Sequence, residues 1–381
     1  MLRKLKISNY RSIGAGVSLD LEPLTVLVGP NGAGKSNIVD ALQFLADCMH
    51  LGLDGAVTKR SGIAAVRRWS SGRPFNVEIG VSLSLEGYQA DFELALAGSS
   101  AADYEVRSEV AQVVELESGE RHGYSVERGE WTEAPKGLNP KMSSTALVLT
   151  LIAGDERFAP LATALGSMAA YDIFPDALRQ PHPYDPAKPM DRRGDNWVSI
   201  LRDQDKETWR PELVSVLHQL TGDIDDVEIR PVGGFLTARF RHGQASADAK
   251  KRRSKWFDAN QESNGTLRVA GIVTALLQDP PPSVIAIEEP ELTVHPGALG
   301  LIYDFVQQAT DRSQVIVTTH SPELLDLVPP EVVRAVERGS GATTVEPISA
   351  SQQKAVRAGL MTLGEVLVTE GVQQELPLDE S

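Results

Sequence analysis

A single cysteine, Cys48, stands among 381 residues, so no internal disulfide can form and the chain suits a reducing compartment. No stretch approaches the roughly 18 consecutive apolar residues of a membrane span. The opening Met1–Ser8 is an alternating strand pattern and lacks the apolar core of a secretory signal. A cytoplasmic protein with no membrane partner is expected. Positive charge is also scarce: 37 Lys and Arg face 52 Asp and Glu, a net charge of −15. That balance excludes a protein that coats nucleic acid over its whole surface, although not a local basic groove. Internal repeats and sustained heptads are absent as well, which excludes a solenoid and a long coiled coil. What is left is a composition ordinary for a globular chain, 41% hydrophobic and 23% charged. The length suffices for one large α/β domain or two smaller ones.

The first positive signal is Leu24-Thr-Val-Leu-Val28, a short β-branched run of the kind buried parallel strands show. It leads into Gly29-Pro30-Asn31-Gly32-Ala33-Gly34-Lys35-Ser36, followed by Asn37, a full G-x-x-x-x-G-K-[ST] pattern. Glycines let backbone N–H groups turn inward around phosphates, Lys35 would reach the β and γ oxygens, and the Ser36 hydroxyl would ligate Mg²⁺. Ile38, Leu42, Leu45 and Met49 predict a following helix with one buried face, its N-terminus aimed at the triphosphate of ATP. The plainer alternative is a glycine-rich turn that binds nothing; strand, loop, Lys-Ser and helix in unbroken order argue against it. Cys48, on this helix, reads as a small buried hydrophobe rather than a nucleophile.

A second buried-strand pattern, Val284-Ile-Ala-Ile287, follows Pro280-Pro-Pro-Ser283 and ends at Glu288-Glu289-Pro290-Glu291. Ligands of parallel sheets bind beyond the carboxyl ends of the strands, where these side chains project. Glu288 is expected to hold Mg²⁺, directly or through water, and Glu289 to orient the attacking water. The alternative is a solvated acidic loop. A third strand, Gln314–Thr319, stops at His320, and Ser321-Pro322 then opens a helix. Alone, a histidine at a strand end is more often structural; beside paired glutamates it is expected to contact the γ-phosphate.

Ser263-Asn-Gly265-Thr266 precedes an apolar helical stripe carrying Val269, Val273 and Leu276. A serine hydroxyl, a glycine N–H and a helix N-terminus together suit a terminal phosphate. One triphosphate already has its own loop, carboxylates and histidine. The economical reading is that Ser263 and Gly265 serve the nucleotide of a second copy, giving an ATP-dependent homodimer with twofold symmetry.

The ordered set resembles the ABC-type ATPase heads of the SMC/RecF class, especially short bacterial AAA-family ATPases similar to the N-terminal half of OLD proteins. Leu2–Ser12, Thr25–Asn37, Ser263–Arg268, Glu288–Glu291 with His295-Pro296, and Thr319–Glu323 carry the resemblance, and Gly194–Arg202 resembles the helix start that comes before the signature half. It implies an α/β P-loop NTPase fold of ABC/RecF type: a mixed sheet core, an antiparallel β lobe and a helical insertion. It also implies ATPase activity with ATP and Mg²⁺, with Lys35, Glu289 and His320 catalytic. Arg11 resembles a position where such heads approach nucleotide or DNA; a plain surface charge is the alternative. The sequence departs from the pattern in reading Ser-Asn-Gly-Thr rather than the transporter signature, and in placing Glu288 where an Asp is usual. No Q-loop glutamine is located.

The resemblance places an ATPase head at 1–350, divided into a P-loop lobe (1–130), an inserted region (131–255) and a signature, carboxylate and histidine half (256–350), before a C-terminal helix and acidic tail (351–381). Alternation at Val77, Ile79, Val81, Leu83 and Leu85 and again over Tyr104–Val114 predicts an antiparallel meander, residues 143–180 read as helical, and Phe235–Phe240 as one more strand. Lys250-Lys-Arg-Arg-Ser-Lys255 is the best nucleic-acid candidate, with a solvated loop as its alternative; Asp191-Arg-Arg193 is weaker. The tail Glu375–Ser381 is expected to be solvated. The expected function is an ATPase that dimerises on ATP and acts in DNA repair or anti-phage defence. The alternative is a nucleotide-gated scaffold for a separately encoded effector, nuclease or toxin. A built-in nuclease is disfavoured, since about 60 residues after His320 leave no room for the Toprim domain of OLD nucleases.

Overall fold

The structure is a computed structural model that describes residues 1–100, 102–138, 140, 143–243 and 254–375. The chain divides into two compact units, residues 1–168 with 329–381, and residues 169–328.

In the first unit, period-two sequence becomes a seven-stranded antiparallel sheet. Its order is Val17–Asp20, Leu2–Ser8, Val77–Leu85, Tyr88–Ala97, Glu105–Glu115, Arg121–Glu127 and Glu130–Glu133. The register pairs Leu5 with Val81 and Ile7 with Ile79, all buried, while Lys6 between Leu5 and Ile7 is exposed. That is the alternation the sequence shows, with one face packed and one wet. The expected meander is therefore present, and Leu2–Ser8 joins its edge.

Leu24–Val28 is buried at all five positions. It pairs in parallel with Val333–Gly339, which pairs antiparallel with Ala342–Pro347, so this part of the core is mixed. This pairing lies in the unit that holds the P-loop, which includes residues 329–350 of the stretch expected with the carboxylates and histidine. The helix that follows the loop, Lys35–Lys59, breaks at Gly52 (φ 69°). It is buried well beyond the single stripe its apolar spacing predicts: Asp40 and Asp47 are buried too. Both aspartates are compensated, because Arg60 lies 3.0 Å from Asp40 and 2.7 Å from Asp47. Charge pairing, invisible to hydrophobic periodicity, permits the deeper burial. Cys48 is buried on this helix, and burial pushes its thiol up, as expected of a packing residue.

The second unit contains three parallel strands, with Val284–Glu288 between Ala169–Tyr171 and Gln314–Thr319. Every residue of the three is buried. Asn264–Leu276 is the helix expected from its apolar stripe, and Leu299–Ala309 is a further helix that buries Leu299, Ile302, Val306 and Ala309. An antiparallel group forms around Phe235–Gly243, which pairs with Ile224–Val232, Ser254–Asp258 and His182–Pro183. The helical content expected over 143–180 is divided among Val148–Leu151, Ala159–Gly166 and Pro175–Arg179. Among the described residues no helix is long and apolar enough to cross a membrane.

Candidate functional site

The P-loop is shaped by positions that only glycine fills. Gly32 and Gly34 have φ of 77° and 113°, in the region that L side chains rarely adopt. A Cβ on Gly34 would lie 2.3 Å from Thr343 Oγ1, and one on Gly29 would lie 2.1 Å from the Val336 carbonyl oxygen. Behind the loop a hydroxyl network sets its curvature. Thr343 Oγ1 donates to the Ala33 carbonyl at 2.6 Å and shares a 2.7 Å bond with Ser12 Oγ, which accepts from Asn37 Nδ2 at 2.6 Å. Lys35 is buried, and its ammonium donates back to the carbonyls of Gly29 (2.7 Å) and Pro30 (3.3 Å). Pro30, Asn31, Gly32 and Ser36 are exposed, while Gly34 and Asn37 are half-buried and Ala33 is buried.

This donor set fits a polyphosphate. A helix leaves its first amides without intrahelical acceptors, and here a lysine ammonium accompanies them. Ser36, at the first turn of the helix with its hydroxyl not fully enclosed, suits a Mg²⁺ ligand. Arg11 takes φ 50°, its amide donating to the Val66 carbonyl, and its guanidinium lies 2.9 Å from Asp40. Burial pushes the Asp40 carboxyl up, but Arg60, Tyr10 and Arg11 outweigh burial and hold it below its ordinary range. Arg11 is therefore anchored to the second turn of the P-loop helix.

In the second unit, Glu288 ends its strand opposite Thr318 and is 6% exposed. Its Oε1 accepts from Arg192 Nη2. The next residue, Glu289, takes φ 45°, unusual for a side chain of its size. Three bonds hold that turn: the Glu289 amide donates to the Thr318 carbonyl at 2.9 Å, and Arg268 Nη2 donates to the carbonyls of Glu288 (3.2 Å) and Glu289 (2.9 Å). Arg268 also donates to the Ile173 carbonyl. It is 4% exposed, and burial holds its guanidinium below the ordinary value. The turn leaves Glu289 Oε1 3.5 Å from His320 Nδ1. Glu291 completes the group: its Oε1 accepts from Thr319 Oγ1 at 2.7 Å and from the His320 amide at 3.1 Å, fixing where the histidine leaves its strand.

Ser263 caps the helix Asn264–Leu276, its Oγ accepting from the Thr266 amide at 3.1 Å. Ser263 and Asn264 are exposed, and Gly265 is half-buried against the Thr293 carbonyl, where a Cβ would lie 2.8 Å away. Only glycine lets this helix tip approach the chain that leaves the carboxylates. The structure thus gathers Glu288, Glu289, His320, Ser263 and Gly265 in one unit, and the residues from Gly29 to Asn37, with Arg11, in the other.

Several contributors escaped sequence reasoning. Asp191-Arg192-Arg193 stood out only as charge; Arg192 in fact binds Glu288, and Arg193 stacks on Phe174 with 4.6 Å to the ring centroid. Arg268 was legible as a lone charge in an apolar helix, and Glu291 and Ser12 lay inside recognised motifs without a role. Thr343 gave no signal. Of the basic run Lys250–Lys255, residues 250–253 lie outside the described residues, as does the tail from residue 376. Lys255 sits over the Phe257 ring at 4.9 Å.

Comparison with known proteins agrees with this architecture. An SMC head bound to the C-winged helix domain of ScpA superposes with a TM-score of 0.55 at 13% identity, covering 92% of this chain and 99% of that one. The SMC head with coiled coil and joint from Pyrococcus yayanosii gives 0.54 at 10% identity, covering 94% and 99%. In sequence, the Smc chromosome partition protein of Mycobacterium tuberculosis is 44% identical over 62 residues, 16% of this chain and 5% of that protein. The OLD nuclease of Thermus scotoductus is 44% identical over 45 residues, 12% of this chain and 8% of its own. The chain thus spans only a small part of these relatives' length. The family described as "AAA domain, putative AbiEii toxin, Type IV TA system" matches residues 24–326. The chain belongs to that family, and its fold is that of an SMC/RecF/OLD-like, ABC-type P-loop ATPase head.

Proposed function

We propose that this protein binds ATP with Mg²⁺ and hydrolyses it in a nucleotide-dependent homodimer. The observation that carries the reading is the Glu289–His320 pair, 3.5 Å apart at the ends of neighbouring parallel strands in a P-loop ATPase fold. In this reading Lys35 and the loop amides hold the phosphates, and Ser36 and Glu288 hold Mg²⁺, which would neutralise developing charge on the phosphates. Glu289 takes a proton from the attacking water, and His320 donates to the terminal phosphate. Ser263 and Gly265 of a second copy close the site, for which the exposure of Ser263 on a capped helix tip is the supporting geometry.

Because two half-sites must meet, turnover is slow and second-order in dilute protein. The test is the specific ATPase rate against protein concentration. A rate that climbs with concentration and then levels supports the dimer; a rate that stays constant down to dilute monomer defeats it. Stimulation of this rate by DNA ends supports a role in DNA repair, one of the two expected settings beside anti-phage defence. The family's description, which names a toxin and an antitoxin system, supports a second reading: a nucleotide-gated scaffold that controls a separately encoded effector. Indifference of the ATPase to every nucleic acid favours that reading.

A further inference from the structure

Away from the residues assigned above, the first unit carries a hollow of about 380 Å³ where the chain leaves the short helix Ile63–Val66. Arg67, Arg68, Trp69 and Arg73 line it, and no carboxylate does. In a chain of net charge −15, three arginines without an acid among them depart from the composition. The three differ in what they hold. Arg67 is 5% exposed and donates to the carbonyls of Ser100 (3.2 Å) and Asp103 (3.3 Å), so it builds the wall. The Asp103 carboxylate itself turns to Ser99, accepting from the hydroxyl at 2.7 Å. Arg68 is half-buried with its guanidinium 5.6 Å from the centre of the Phe75 ring, and Arg73 is exposed. Neither Arg68 nor Arg73 has an ion-pair partner among the described residues.

A second, independent feature sits between these two cations. Trp69 is 82% exposed, more than any other large apolar side chain among the described residues. Indole is highly buried on average, so a ring left in water asks for a partner. The backbone that presents it is anchored at both ends. The Arg68 amide donates to the Asn9 carbonyl at 2.8 Å, and the Arg11 amide to the Val66 carbonyl at 2.7 Å. Beyond the ring, Ser70 Oγ donates to the Arg73 carbonyl at 2.8 Å and closes the turn. A ligand that lands here therefore meets a platform whose backbone is already ordered, which lowers the entropy lost on binding.

The ligand must supply negative charge for Arg68 and Arg73 and a flat π face for Trp69. An acidic peptide brings the charge, but a π face only where it happens to carry an aromatic residue. An anionic bilayer brings charge too, yet surface insertion needs an apolar face, and a single indole between arginines is not one. Duplex nucleic acid brings phosphates but keeps its base faces stacked on one another. An unpaired strand brings both at once: a base for the indole and flanking phosphates for the two guanidinium groups, the combination single-strand sites use. The volume lies at the lower end of the roughly 300–1,000 Å³ of small-ligand sites, which suits a single nucleotide of a longer strand. We infer that Arg68, Trp69 and Arg73 form a contact site for single-stranded nucleic acid. The inference rests on neither ATP hydrolysis nor dimerisation.

The test is fluorescence anisotropy of labelled oligothymidylate and oligouridylate, each about 15 nucleotides long, with the full chain and no ATP, over a range of salt. Both strands carry the recognised chemistry, and the tighter binder tells DNA from RNA. Two phosphate contacts predict a slope of log affinity against log salt of about −1.4, and Arg73→Gln should reduce it by about 0.7. Trp69→Ala should lower affinity by about five- to a hundredfold and leave the slope alone, since stacking releases no counterions. Four outcomes overturn the inference: no binding of either strand, native affinity in Trp69→Ala/Arg73→Gln, a slope that Arg73→Gln does not change, or tighter binding of a duplex or of phosphatidylglycerol vesicles. Native affinity in that double variant would place the contact elsewhere, the Lys250–Lys255 run included. Both substituted side chains are exposed, so the melting temperature serves as the folding control. The ATPase rate, measured in parallel, judges the catalytic reading separately.

Discussion

Arg192 donates a hydrogen bond to Glu288, the carboxylate proposed to hold Mg²⁺. The backbone around it is pinned: the Asp172 amide donates to the Arg192 carbonyl at 2.9 Å, and the Phe174 amide to that of Arg193 at 3.2 Å. The Arg192 side chain is 37% exposed and has room to move. Two effects of deleting it oppose each other. Losing an outer partner that orients a metal ligand typically costs about 10–100-fold in affinity, or roughly 1.4–2.7 kcal/mol. Removing a cation that shares this carboxylate with a divalent ion would relieve like-charge repulsion, roughly 6 kcal/mol for such charges about 5 Å apart at an effective dielectric near 20. Even halved by solvent, the second effect is larger.

Arg192→Ala is therefore expected to lower the half-saturating Mg²⁺ concentration by about three- to tenfold. The measurement is a Mg²⁺ titration of the protein with a fluorescent ATP analogue already bound. A rise in the Mg²⁺ requirement would mean that Arg192 serves to orient Glu288 rather than to oppose the ion.

Glu289→Gln keeps the size of the side chain at a position whose φ is 45°, but removes the proposed base. General-base loss typically costs about 10²–10⁴-fold in rate. The variant should bind ATP normally, hydrolyse it at least about a hundredfold more slowly, and accumulate as an ATP-bound dimer. Light scattering with ATP present decides the point: a monomer of unchanged mass counts against trans closure.

How far the sequence reveals this site depends on how local each contact is. The P-loop, the Glu288-Glu289 pair and His320 are legible because strand, turn and ligand are consecutive, so one short pattern carries both conformation and chemistry. The meander is legible for the same reason, since alternation at Val77–Leu83 is a neighbour-to-neighbour signal. Arg192 and Glu288 are 96 positions apart, and Thr343 and Ala33 are 310 apart. No periodicity connects such pairs. The deep burial of the P-loop helix fails in the same way, because Asp40 and Asp47 read as surface until Arg60 is known to fold back on them.

Glu291 is a positioning residue for His320. Its Oε1 receives bonds from the Thr319 hydroxyl and the His320 amide. Hydrogen bonds to a charged group contribute about 1.5–3 kcal/mol, so Glu291→Ala should destabilise the fold by about that amount in urea denaturation. Glu291→Gln retains an acceptor and should recover most of it. Equal loss in both variants would show that charge, not the bond to the histidine amide, matters here.

His242 is expected to make stability depend on pH near the start of the helix Asn264–Leu276. Its ring nitrogens lie 2.9 Å from Asp223 and 2.8 Å from Glu262, the residue before Ser263. Burial lowers its pKa, but the hydrogen bonds to Asp223 and Glu262 outweigh burial, and the net shift is upward from 6.5. The imidazolium thus stabilises the folded state fully below about pH 6.5. That contribution is lost as pH rises through the higher folded-state value. Urea midpoints at pH 6 and pH 8.5 should differ more for the native sequence than for His242→Gln. An equal pH slope in both assigns the dependence to other groups.

Thr343 supports the phosphate loop from behind, and its hydroxyl can be removed with little change of shape. In Thr343→Val the Ala33 carbonyl loses its 2.6 Å donor and Ser12 its 2.7 Å partner. A buried acceptor left unsatisfied costs about 1–3 kcal/mol. The loop between Gly32 and Gly34, already held at positive φ, is the part free to relax in response. Nucleotide affinity should therefore fall by about fivefold to a hundredfold, read by calorimetric titration, with a smaller loss of global stability because the strand Ala342–Pro347 keeps its backbone pairing. Thr343→Ser, which restores the hydroxyl without the methyl, should return most of the affinity. If it does not, the packing of the methyl against the loop, 2.8 Å from where a Cβ on Gly34 would lie, holds the loop instead of the hydrogen bond.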